Sequence, residues 1–190
     1  METTQVFRVR VAGGEGSPRI DTLLPDNSSK KIPWGKIGKI LLGKAPASEY
    51  EPIQVAVDEK GWQNWHYYPM AGTYGLFSQT LIDLIGRYMK SCFEPYLPAF
   101  VNGLKYYFLR QIGTLDCLDR KHSELIPFPH DPQRVMEIEH YRFIKAKIPD
   151  PIVFVIPEVT GILASQSIKK MVEGAKLYGL VFLDAEKIGE

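Results

Sequence analysis

Apolar and basic residues alternate over VFRVRV, positions 6–11, with Val6, Phe7, Val9 and Val11 supplying the apolar content. That is the period of a half-buried strand. Residues 53–57 (IQVAV) and 62–68 read as further short strands. Between them, 13–17, 26–31, Pro46 and Pro52 mark turns and connections, and Gly35 and Gly38 weaken any helix over 34–42. The first seventy residues are therefore expected to be β-rich and loop-rich.

The pattern then becomes more regular. Ser78 is placed to cap a helix running to about Lys90, with Leu81, Leu84, Ile85 and Tyr88 on one face. Residues 104–112 (LKYYFLRQI) predict a strand, as do 135–144, with Glu137 and Glu139 on one face and Met136 and Ile138 on the other. Residues 152–156 form a short apolar strand. A last helix is expected over 167–177, carrying Ile168, Met171, Val172 and Ala175 on one side, with Gly179 able to close it in the left-handed conformation. Residues 180–183 return as a strand. LFSQTL at 76–81 echoes LASQSI at 163–168, and Leu84-Ile85 and Met171-Val172 keep the same offset. The echo is either chance or the mark of two capped helix–strand units sharing one sheet. Both readings give an α+β fold: a mixed or antiparallel sheet, two amphipathic Ser-capped helices and a β-rich N-terminal part.

Composition narrows this further. The 190 residues are 45% hydrophobic and 24% charged, which is ordinary for a globular chain. They fit a β-rich extension over 1–70 and an α+β domain over 71–190, or one continuous domain over 1–190. A net charge of +1 supplies no overall field towards nucleic acid or an anionic membrane. The apolar runs fall far short of the roughly 20 residues a spanning helix needs, so no membrane association is expected. The start of the chain lacks the basic and apolar regions of an export signal. Cys92 and Cys117 read as buried free thiols. A cytoplasmic protein is expected.

The densest polar cluster is DCLDRKHSE, residues 116–124. Asp116, Asp119, Cys117 and His122 could serve a metal- or thiol-dependent enzyme. The plainer reading is a strand exit and turn whose charges pair locally. No catalytic, cofactor or metal residue is assigned: His66, His130 and His140 lack ligand spacing, no nucleophile elbow is present, and the glycines at 13–16 lack the context of a phosphate loop. Lys30, Lys31, Lys36, Lys39 and Lys44, with Trp34 among them, could grip a phosphate backbone, but Glu49, Glu51, Asp58 and Glu59 follow at once. Trp62, Trp65, Tyr67, Tyr68 and Tyr74 could be core or protein-contact residues. The candidate partner contacts are Asp116, Asp119, Glu124, Trp62, Trp65, Tyr67, Lys36 and Lys39.

From Leu76 to Phe182 the order of short motifs resembles a family of bacterial polymorphic-toxin immunity proteins. The motifs are the Ser78-led helix, Leu97-Pro98, Asn102-Gly103, Tyr106-Tyr107 with Leu109, Asp116-Cys117-Leu118-Asp119 with Ser123-Glu124, Phe154, the Ser165-led helix, Gly179 and Phe182. The chain departs from the family in carrying Val155 where an Arg often follows the Phe, and in its Pro-rich loop at 127–132. The resemblance implies a cytosolic protein, encoded beside a toxin effector, that binds and neutralises that effector by steric occlusion. It implies no cofactor and no turnover. Homo-oligomer formation is left open.

Overall fold

In the computed structural model, residues 5–11, 22–25, 39, 53–56, 65–68 and 75–187 are described. Their strands form three sheets.

The first sheet runs β10(Val153–Phe154)–β11(Leu163–Ser165)–β1(Val6–Val11)–β12(Leu180–Asp184), antiparallel throughout. The N-terminal strand thus lies between two strands from the far end of the sequence. The second sheet runs β2(Thr22–Pro25)–β3(Ile53–Ala56)–β6(Phe93–Val101)–β7(Leu104–Gln111)–β5(Leu76–Ser78)–β4(Tyr67–Tyr68), with β3 parallel to β6 and every other pair antiparallel. The third is a two-stranded ribbon, β8(Glu124–Phe128) against β9(Asp131–His140). Among the described residues, helices α1(Gln79–Ile85), extended by a 3₁₀ turn to Tyr88, and α2(Gln166–Gly174) complete the α+β fold.

The β6–β7 hairpin turns on Asn102 and Gly103, at φ 49° and 78°. Two consecutive positive φ values are what a tight two-residue turn between twisted strands requires. Pro95 and Pro98 disguise β6 in the sequence; the ladder tolerates them with a register shift between Pro95 and Leu97.

Leu81 and Ile85 of α1, and Ile168 and Val172 of α2, are buried at the i, i+4 spacing of one helical face. The helix α1 rests on β5 and β7, α2 rests on β1 and β11, and the two helices touch. Phe77, Phe93, Phe108 and Phe154 are fully buried within this packing. Truncating any one to alanine would cost about 3–5 kcal/mol.

The internal echo is therefore real in form but differs from expectation. Each helix is followed by a strand, as expected, but is also preceded by one, giving β5–α1–β6 and β11–α2–β12, and the two units lie in different sheets rather than sharing one. The serine stands at the junction because its extended backbone ends the strand while its position begins the helix. Only Ser78 caps with its side chain, accepting from the Leu81 amide at 3.1 Å. Buried Ser165 accepts from the Ile152 amide at 3.1 Å and donates to Asp150 at 2.6 Å, so its hydroxyl ties down the 150–152 segment instead. Helix α2 also stops short of Leu177: Ala175 is exposed, Lys176 takes the left-handed conformation at φ 53°, and Gly179 bends the chain further on.

Candidate functional site

The 116–124 segment leaves the core at Leu118, whose strand-like bridge to Phe143 is flanked by two amide bonds: Asp119 donates to the Arg142 carbonyl and Ile144 to the Cys117 carbonyl, each at 2.8 Å. A turn follows, in which the amides of His122 and Ser123 both donate to the Asp119 carbonyl. Ser123 Oγ then accepts from the Arg142 amide at 3.0 Å and donates to the Arg142 carbonyl at 3.2 Å. The segment is a clasp between the core and the strand that re-enters it after β9.

Its charged side chains diverge. Asp116 pairs with Arg120 at 2.9 Å, and Arg120 also holds Glu158, whose side chain is only 6% exposed. Asp119 accepts from Nδ1 of His122 at 2.7 Å, a bond that holds its carboxyl below the usual carboxylate range. Glu124 lies 3.5 Å from Nε2 of His140. Cys117 is fully buried; desolvation first, and Glu158 next, push its thiol up to about 12. That is the direction opposite to nucleophile activation. Among the described residues no three His, Cys, Asp or Glu side chains gather as a metal site. The local pairing reading of the cluster is the one the geometry follows.

Of the aromatic candidates, Tyr67 is core: it packs edge-on to Phe77 at 5.0 Å, and burial pushes its phenol up to about 12. It is not available as a contact residue. Trp65 is half-buried. Its ring covers Gly179, its carbonyl accepts from the Tyr106 hydroxyl at 2.5 Å, and it bridges Tyr178, which is 63% exposed. Lys39 is exposed; Trp62, Lys36 and the other lysines of 30–44 lie outside the described residues. Asp116 and Glu124 are exposed and Asp119 is half-exposed, all three at or near the base of the β8–β9 ribbon.

Apart from Glu124 at its base, the ribbon escaped the candidate residues. One face is anchored, with Ile138 buried in the core and Leu125 and Val135 packed against it. The other face carries Glu137 and Glu139; Met136, expected on the Ile138 face, falls at the register shift opposite Ile126 and Pro127 and is 45% exposed. Phe128, near the tip, is 38% exposed and lies under the Arg134 guanidinium. The available signal was the run from Glu137 to Glu139 around a single apolar position, which marks one wet and one buried face.

Taken together, these features define an α+β protein with an exposed, acid-bearing β8–β9 ribbon joined to the core by a polar clasp. Residues 96–187, just under half of the chain, match the model of an immunity protein family, Imm11. The resemblance to an immunity family, read from the motifs of 76–182, is thus borne out over 96–187, a span that runs from within β6 through residue 187 and takes in clasp and ribbon. No curated protein matches the chain. Among the described residues no helix is long and apolar enough to cross a membrane.

Proposed function

We propose that this chain is an immunity protein that binds one cognate toxin effector and neutralises it by covering its working surface, without turning anything over. The match to an immunity family over 96–187 carries the reading. The arrangement of the site supports it, since acids and thiol are consumed in local pairing and burial while the ribbon offers exposed apolar and charged groups together. Such a protein acts in the cytoplasm of the cell that makes the toxin. The N-terminal strands, β1 between β11 and β12 and β3 beside β6, would serve as parts of the scaffold that holds the binding face.

The test is co-production with the C-terminal toxin domain encoded by the neighbouring gene. Growth is restored and the two proteins co-purify as a stable complex if the reading holds. Continued killing with no complex would refute it.

A further inference from the structure

Among the described residues nearly every acidic side chain has a polar partner. Asp83 meets Gln79, Glu94 meets Arg110, Asp150 meets two serines, Glu173 meets Lys169, Asp184 meets Gln5, and Glu186 meets Lys145. Asp116, Asp119, Glu124 and Glu158 pair as described above. The three carboxylates with neither a hydrogen bond nor an ion pair, Asp131, Glu137 and Glu139, are all on β9. Over 124–140 the sequence has four acids against one arginine, and that arginine is engaged by the Phe128 ring. Among the described residues, unpaired negative charge is thus concentrated on one strand, beside Met136.

We propose that the outer face of the β8–β9 ribbon is the partner-binding surface, and that the surface it receives is a basic protein face with an apolar centre. This rests on the immunity reading above and names the chemistry of the partner. Complementary charge is what fits: an acidic partner would bring like charge against three carboxylates that have no ion pair. Strand addition to the ribbon is disfavoured. Pro127, Pro129 and Pro132 remove backbone donors around the tip, and the ladder shifts register between Glu124 and Leu125, between Ile126 and Pro127, and between Pro127 and Phe128. Docking therefore runs through side chains. A ribbon face alone is smaller than the roughly 1,600 Å² of a standard interface, so the contact extends to the base, where Glu124 and Asp119 lie.

The experiment uses the full chain and the purified toxin domain of the neighbouring gene, with association followed by biolayer interferometry from 50 to 500 mM salt. Glu137→Lys/Glu139→Lys is compared with wild type and with Lys170→Glu, an exposed charge reversal on α2. Circular dichroism confirms that each variant folds. We expect the double reversal to slow association about tenfold at low salt and to flatten its salt dependence, with Lys170→Glu unchanged. Met136→Ala is expected to raise the dissociation rate about tenfold. If wild type binds but both ribbon variants behave like it, the ribbon proposal falls and the immunity reading stands. If wild type does not bind, both fall.

Discussion

Gly179 offers a quantitative test of how the Trp65 segment is held. Its φ is +94°, a region where a side chain on an L-residue is strained by about 1–2 kcal/mol. A methyl group there would also lie 2.7 Å from Cε3 of Trp65 and 3.1 Å from its Cβ and Cδ2. Carbon atoms pack best at about 3.5–4.0 Å, so the indole must retreat by close to 1 Å while its own carbonyl remains bound by Tyr106. Overpacking of this kind costs about 1–3 kcal/mol. Gly103 separates the two contributions, because its φ is +78° and nothing lies within 4 Å of an added Cβ. Gly103→Ala should therefore lose about 1–2 kcal/mol and Gly179→Ala about 2–5 kcal/mol. In a chain of this size each kcal/mol lowers Tm by about 2–4 °C. Urea unfolding and thermal melts on wild type, both glycine variants, Trp65→Ala and Trp65→Ala/Gly179→Ala complete the set. The excess at position 179 should disappear once the indole is gone. An equal loss at the two glycines, or an excess that survives Trp65→Ala, would show that the ring is not what excludes the side chain.

Three shorter expectations follow from the polar contacts. Burial lowers the pKa of His66 from 6.5, so the unfolded chain binds its proton first. The stability this group supplies is whole above about pH 6.5 and is lost as pH falls through the lowered folded value; His66→Gln should flatten that part of a stability–pH curve, and an unchanged slope would refute it. Cys117 should resist a thiol reagent at pH 8 in the folded protein and react on denaturation; rapid native labelling assigned to Cys117 by peptide mapping would contradict its burial. Ser165→Ala leaves the Ile152 amide unsatisfied and should cost about 1–3 kcal/mol, whereas Ser167→Ala removes a single hydroxyl bond to Asp150 and should cost well under half as much; equal losses would mean the buried hydroxyl is not the tie.

How much could be read from the residues depended on whether local pattern and tertiary demand agreed. VFRVRV alternates and is strand β1 from Val6 to Val11; LKYYFLRQ is nearly all of the predicted 104–112 strand. Strand β6 was hidden because Pro95 and Pro98 argue against a strand, and only the Asn102-Gly103 turn between two apolar runs could have announced the hairpin. The serine of each repeated unit carried a cap signal that obscured the strand just before it, since a three-residue buried strand has no period of its own to detect. In the site, the local pairing of 116–124 was legible from basic residues set between acids within nine residues. The ribbon was not, because which carboxylates lack partners depends on cations far away in sequence: Arg110 for Glu94, Lys145 for Glu186, Arg120 for Glu158.

That distribution of partners bears on why the clasp and the ribbon occur together. A two-stranded ribbon is marginal by itself, and a mobile one would lose affinity to the entropy of ordering it on contact. Here the base of the ribbon is fixed on both strands. Ser123, just before Glu124, exchanges two hydrogen bonds with the Arg142 backbone two residues past His140, and Arg142 Nη1 in turn donates to the Glu186 carbonyl at 3.2 Å. Lys145 reaches Glu186 at 2.8 Å, fastening the same return strand to the C-terminal turn. The 116–124 segment thus ties the base of the ribbon to the core. Ser123→Ala, which removes the hydroxyl without touching the outer face, should then weaken partner binding mainly by slowing formation of the complex, while Glu137 and Glu139 stay in place. A loss of global stability with association unaltered would separate the clasp from the binding function.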